Sequence, residues 1–262
     1  MNTPLQQIPT NIITGFLGVG KSTAITKLLR NKADSERWAV LVNEFGKVGI
    51  DGALLSGTTS DSPSIFIREV PGGCLCCAAS VPMQVALNQL LKEARPDRLL
   101  IEPTGLGHPK QIIAALSKPE YHSVLDLRST ITLVDARKIA DSRYTNHPTF
   151  NQQLEVADLI VANKSDLYSD HELDTLRHYL NRSGLGSTPL HAVSEGAIES
   201  SWLNQLSHTS PPVICGETPP IDQFHSHGWT FDSDTCFNFK SVNSLFSQLQ
   251  VIRLKAVIRT DR

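Results

Sequence analysis

The apolar, β-branched run Ile8 to Thr14 leads directly into Gly15-Phe16-Leu17-Gly18-Val19-Gly20-Lys21-Ser22, and Ala24, Ile25, Leu28 and Leu29 follow at helical spacing. A strand, a glycine loop of the form G-x-x-x-x-G-K-S and a helix, in that order, constrain the chain more than any other feature. The glycines let successive backbone N–H groups converge on phosphate oxygens, and the helix N-terminus adds positive potential. Lys21 is placed to reach β- and γ-phosphates and Ser22 to ligate Mg²⁺, with Gly18, Val19, Gly20 and Thr23 completing the cradle.

The surrounding pattern agrees with an α/β fold. Short β-branched runs recur between helical stretches at Trp38 to Asn43, Ile65 to Val70, Arg98 to Glu102, Thr130 to Asp135, Asp158 to Asn163 and Pro189 to Val193. This rhythm predicts a P-loop domain with a mostly parallel sheet and helices on both faces. Val85, Leu87, Leu90 and Leu91 are assigned to the buried face of one of those helices. The chain divides into a P-loop GTPase domain over 1–209, a proline-bearing linker over 210–224 and a partial C-terminal domain over 225–262. In the last, Gly228 to Phe231, a helix Ser241 to Leu249 and Val251 to Ile258 would form one β-α-β unit. That unit cannot bury both faces unaided and is expected to lean on the first domain, a partner or missing sequence.

Two more strand ends carry chemistry. Leu99-Leu100-Ile101 ends in Glu102, an acidic residue positioned for the Mg²⁺ water shell; a surface carboxylate is the plainer reading. Leu159-Ile160-Val161-Ala162 ends in Asn163-Lys164-Ser165-Asp166. The Asp166 carboxylate can accept from both N1–H and the 2-amino group of guanine, whereas adenine offers no such pair on that edge. Lys164 would lie along the base and Asn163 would brace neighbouring loops. A polar turn is the plainer alternative, and the upstream phosphate loop favours guanine recognition.

Beyond the run Ile65 to Val70 lies Pro71-Gly72-Gly73-Cys74-Leu75-Cys76-Cys77, three thiols within four residues. Spaced thiolates suit Zn²⁺ or another soft ion, and three local ligands leave one position open, which suits uptake and release. A redox or merely buried cysteine cluster is the alternative. The five cysteines are an odd count, and this clustering argues for reduced thiols.

Composition narrows the partners. A formal net charge of −2 gives no basic field for nucleic acid. No apolar run has the length of a membrane span, and Met1-Asn2-Thr3-Pro4 opens no secretory signal, so a cytoplasmic chain is expected.

Together, Gly15 to Thr23, Asn43-Glu44-Phe45-Gly46, Gly73 to Cys77, Glu102-Pro103-Thr104-Gly105 and Asn163 to Asp166 closely resemble the CobW-type GTPases over about residues 8 to 200. The resemblance implies a GTP-hydrolysing metallochaperone, with zinc in many members and cobalt in others, and a smaller C-terminal domain. It implies that Cys74, Cys76 and Cys77 bind the transferred metal, that GTP and GDP are the nucleotides, and that a client apo-metalloprotein is the partner. A homodimer is one available assembly. Lys47 stands where members often carry a further acidic residue. His225 and His227 are left out of the metal site as ordinary linker residues. Lys21, Glu44, Asp51 and Glu102 are the candidate catalytic residues, Glu44 and Asp51 for orienting water or sensing the γ-phosphate. An ATP-using kinase or ATPase, a metal sensor or storage protein, and a regulatory GTPase with structural zinc remain as rivals.

Overall fold

Alternate residues of the strands at Trp38–Val42 and Arg98–Glu102 enter opposite halves of the protein, as the period of two requires. Val40 and Val42 of one strand join one apolar cluster while Ala39 and Leu41 join the other; Leu100 and the pair Leu99 and Ile101 divide in the same way. Both clusters are fully enclosed, so the sheet is covered on both faces. The computed structural model describes residues 5, 7–42, 64–70, 81–169, 171–207, 229, 231–232, 234–249, 256 and 258–261.

The strands are β1 (Ile8–Gly15), β2 (Trp38–Val42), β3 (Ile65–Glu69), β4 (Arg98–Glu102), β5 (Leu125–Val134), β6 (Leu159–Asn163) and β7 (Leu190–Val193). They form one seven-stranded sheet in the order β3-β2-β4-β1-β5-β6-β7. Every pairing between them is parallel, so their C-terminal ends share one edge and the fold is α/β as expected. Crossovers are the helices α1 (Lys21–Asn31), α2 (Val81–Ala94), α3 (Pro109–Leu116), α4 (Pro119–His122), α5 (Ser142–Thr145), α6 (Pro148–Glu155) and α7 (Glu172–Arg182).

Helix α1 buries Ala24, Ile25, Leu28 and Leu29, the four positions its spacing indicated; each large aliphatic among them contributes about 1.5–3 kcal/mol on leaving water. Helix α2 corrects one assignment. Its inner face is Met83, Ala86, Leu87, Leu90, Leu91 and Ala94, whereas Val85 is exposed. At 3.6 residues per turn, Val85 lies on the side of the helix opposite the centre of that stripe. Strand β5 begins at Leu125, five residues before the expected Thr130, because its first part pairs with Ile8, Pro9 and Thr10 of β1.

A buried polar knot closes the sheet's lower half. Asn11 donates to the carbonyls of Ser129 and Leu203, both at 3.0 Å, and its own oxygen accepts from Arg98 at 2.7 Å. These bonds satisfy the buried amide and fasten the 3₁₀ turn Ser200–Asn204 under the strands.

The C-terminal segment departs from expectation. Helix α8 (Phe239–Gln248) forms, capped by Asn238, whose side chain accepts from the Ser241 N–H at 3.1 Å. Trp229 and Phe231 are not in a strand; instead Phe237 makes a parallel bridge to Thr260. The bridge therefore sits next to the helix start, and α8 has no buried residue. The expected strand Val251 to Ile258 falls mainly outside the described residues. Among the described residues no helix is long and apolar enough to cross a membrane.

Candidate nucleotide site

The chain leaves β1 through Gly15 at φ 141° and enters α1 through Gly20 at φ 96°. A Cβ at Gly15 would stand 2.4 Å from the Leu133 carbonyl oxygen, and one at Gly20 would stand 2.6 Å from Asn163 Nδ2. Conformation and space thus both demand glycine at the two ends of the loop. Gly20 occupies the N-cap of α1, whose first turn carries no acidic residue. Its N–H groups and dipole are left to an anion.

Phe16 fixes the loop from outside. Its ring meets Tyr144 at 5.2 Å, His147 at 4.8 Å and Phe150 at 6.1 Å, all edge-on. Edge-to-face packing of this kind favours one ring orientation. Lys21 is buried, and its ammonium donates to the Gly15 carbonyl at 2.9 Å and the Phe16 carbonyl at 3.4 Å. Ser22 Oγ donates to Glu102 Oε1 at 3.0 Å. Glu102 is buried at the end of β4, beside β1. A hydroxyl and a carboxylate within one hydrogen bond of each other form an all-oxygen donor set that suits a small hard cation such as Mg²⁺.

The segment after Glu102 packs on the same loop. A Cβ at Gly105 would come within 2.9 Å of the Leu17 nitrogen, so the two backbones nearly touch. Gln153 of α6 holds that segment by donating to the Gly105 carbonyl at 3.1 Å.

Across the sheet edge, Asn163 bridges two loops. Its Nδ2 donates to the Val19 carbonyl at 2.8 Å, and its Oδ1 accepts from the Gly196 N–H at 2.8 Å. Lys164 adopts the left-handed conformation at φ 65°, and its ammonium donates to the Gly18 carbonyl at 2.7 Å. Asp166 stands exposed in the 3₁₀ turn Ser165–Leu167. Thr23 is exposed on the first turn of α1.

Several residues at this edge carried no expectation. Asp135, buried just beyond β5, is held by Arg137 Nε at 2.9 Å and Arg137 Nη2 at 2.7 Å, with the Lys164 ammonium at 3.6 Å. Burial alone would raise its pKa, but the hydrogen bond and charge of Arg137, with Lys164 adding, hold the carboxyl below its ordinary value. The Tyr168 hydroxyl accepts from the Ala136 N–H at 3.0 Å and lies against the carbonyl oxygens of Asn163 and of Val134, the latter at 3.4 Å. Burial pushes this phenol up to about 12, against the pull of the Ala136 N–H. The turn Ser194-Glu195-Gly196 follows β7, with Glu195 at φ 51° and Gly196 at φ 68°. Asp135 was accessible to the rule that picked out Glu102, since both are acidic residues at strand ends. Tyr168 and Gly196 had no local signal.

The glycine loop after β1, the loop after β6 and Glu102 of β4 thus meet at one edge. Glu44, Asp51, Cys74, Cys76 and Cys77 lie outside the described residues. The strand ends that lead to them belong to the same edge: Val42 is in register with both Glu102 and Glu69. Among the described residues no group of three His, Cys, Asp or Glu side chains is arranged to hold a metal.

The sequence profile of the CobW/HypB/UreG nucleotide-binding domain matches residues 9–185. The chain belongs to the CobW/HypB/UreG family. Among relatives of this CobW-type chain, the zinc chaperone YeiR of Escherichia coli (strain K12) is 40% identical, over 95% of this chain and 82% of its own length. The zinc chaperone CobW of Sinorhizobium sp is 30% identical, over 95% of this chain and 80% of its own. The crystal structure of Zn(II)-bound YjiA GTPase from E. coli superposes with a TM-score of 0.55 at 22% identity, covering 78% of this chain and 64% of that one. The likeness to YjiA is one of fold.

Proposed function

We propose that this CobW-family chain is a GTP-hydrolysing metallochaperone that carries a transition metal, zinc in the first instance, on Cys74, Cys76 and Cys77 and couples its release to a client apo-protein to GTP hydrolysis. The observation that carries the nucleotide half is the pair of hydrogen bonds at Asn163, which donates to the Val19 carbonyl and accepts from the Gly196 N–H, because the first holds the base loop against the phosphate loop and the second ties it to the turn after β7. The metal half is supported by the three clustered thiols and by the relatives that bear the name zinc chaperone.

In this reading, Gly18, Val19 and Gly20 present N–H groups to the phosphates, with Thr23 at the first turn of α1. Lys21 exchanges its carbonyl partners for β- and γ-phosphate oxygens. Asp166 accepts from guanine, Lys164 lies along the base, and Asn163 fixes both loops. Ser22 and Glu102 would hold Mg²⁺, which when bound neutralises charge on the phosphates. Glu102 keeps the Ser22 hydroxyl aimed, and Gly105 lets the segment after β4 pack against Leu17 of the phosphate loop. Glu44 and Asp51 orient the attacking water or sense the γ-phosphate. Residues 1–209 form the GTPase unit, 210–224 the linker and 225–262 the C-terminal unit. Residues 43–51 and Cys74 to Cys77, which follow β2 and β3 in sequence, would give metal affinity its dependence on nucleotide state by responding to the γ-phosphate.

The test is turnover of GTP against ATP, alongside zinc binding by Cys76→Ser. GTP is expected to be hydrolysed selectively, and the cysteine variant to lose zinc while keeping GTP. Equal use of ATP would overturn the nucleotide assignment, and normal zinc binding by the variant would overturn the metal assignment.

A further inference from the structure

Lys164 pays for its place in the base loop. Its backbone is left-handed, a conformation that a lysine occupies only when its surroundings fix it. Its carbonyl accepts from the Leu167 N–H at 2.9 Å, and two side-chain contacts hold its ammonium, the Gly18 carbonyl at 2.7 Å and the Asp135 carboxylate at 3.6 Å. The Gly18 carbonyl alone is a weak anchor for a long, rotamer-rich side chain that is 32% exposed.

Asp135 is a fixed charge. It is buried, accepts from the Arg137 backbone N–H at 3.2 Å, and is gripped by the Arg137 fork through both oxygens. Because Arg137 already neutralises it, Lys164 is not needed to make its burial tolerable; the direction of use is the reverse. Strand pairing sets the distance, since Val134 is in register with Ala162, so that the residues after β5 and β6 emerge side by side. Tyr168 fastens the same two strand ends through Ala136 and Asn163.

We propose that Asp135 is a positioning residue for nucleotide binding: its carboxylate holds the Lys164 ammonium over the Gly18 carbonyl and thereby locks the base loop onto the phosphate loop. The proposal rests on the guanine-nucleotide reading of the site. Asp135 touches neither base nor phosphate. Its effect is confined to ligands that need both loops at once, a nucleoside di- or triphosphate, and spares a ligand that uses the phosphate loop alone.

The experiment compares wild type, Asp135→Asn, Lys164→Ala and the double variant for binding of mant-GDP and of inorganic tripolyphosphate. Asp135→Ser serves beside Asp135→Asn, because a serine hydroxyl still accepts from the Arg137 N–H and preserves the local turn. Each Asp135 variant is expected to lose about 10-fold in mant-GDP affinity, the size of a lost charge-assisted contact, with tripolyphosphate affinity within about two-fold of wild type. The double variant should bind mant-GDP no more weakly than Lys164→Ala, because the two residues act through one contact. Mant-GDP affinity like that of wild type, multiplied losses in the double variant, or an equal loss for tripolyphosphate would each overturn the proposal. Wild-type protein that prefers mant-ADP to mant-GDP would overturn the guanine reading with it, and that result is visible before any variant is compared.

Discussion

The hydroxyl of Ser22, in the first turn of α1, donates to the carboxylate of Glu102 at the end of β4 across 3.0 Å. One residue belongs to the phosphate loop and the other to the neighbouring strand, so a cation between them would link the two. Glu102→Gln removes the charge and keeps the shape. It is expected to weaken the apparent Mg²⁺ affinity of the GTP complex about 10–100-fold, as loss of a metal-site partner does. Magnesium titration of GTP binding checks this, and unchanged magnesium dependence would remove Glu102 from the site.

Lys21→Ala should cut GTP turnover by about 10²–10³-fold, the usual cost of removing one group that stabilises developing charge. The fold should survive, since two partners of this buried ammonium, the Gly15 and Phe16 carbonyls, lie in the loop itself. Phosphate release together with far-UV circular dichroism separates lost chemistry from lost structure.

Most of the architecture was readable before the structure, and the reason is the parallel sheet. A strand buried on both faces must be a short continuous apolar run, and such runs are conspicuous between helices. Ile8 to Thr14 and Arg98 to Glu102 show this well. Helix α1 was legible for a similar reason, since its inner face needs a regular stripe. Val85 misled because a single apolar residue beside a stripe looks like part of it. The site divides along the same line. Lys21, Ser22, Glu102 and Asn163 stand at fixed offsets from strand ends, whereas Tyr168 and Gly196 act through contacts between segments distant in sequence. Asn11 and Arg98 form their knot with Leu203 and Asn204, more than a hundred residues downstream of Arg98, which no local pattern encodes.

Gly196 offers a controlled test of the base-side turn. Its φ is 68°, and an added Cβ would meet Ala24 Cα at 2.7 Å, within the first helix. Gly184 shares the conformation, at φ 75°, but has nothing within 4 Å of an added Cβ. Gly184→Ala is expected to cost about 1 kcal/mol from backbone strain, and Gly196→Ala about 2–4 kcal/mol because a backbone clash adds to it. Urea unfolding of the two variants gives the comparison. Equal losses would mean that the Gly196 turn has room to move away from α1.

Tyr168 makes stability sensitive to alkaline pH. Its folded-state pKa, raised to about 12, exceeds the ordinary value near 10, so the folded protein favours the neutral phenol. The resulting stabilisation is complete below pH 10 and is lost as pH rises from 10 to 12. Tyr168→Phe should therefore flatten the decline of stability across that window. Denaturation midpoints measured between pH 9 and pH 12 would show it, and parallel curves for the two proteins would contradict it.

Coupling between nucleotide and metal is tested by titrating zinc into purified protein saturated with GDP and, separately, with a non-hydrolysable GTP analogue. A chaperone whose nucleotide state governs its cargo should show zinc affinities that differ at least about 5-fold between the two states, with the reciprocal change in nucleotide affinity when zinc is bound. Equal zinc affinity in both states, with Cys76→Ser abolishing binding in each, would leave a metal-binding GTPase whose two sites do not communicate.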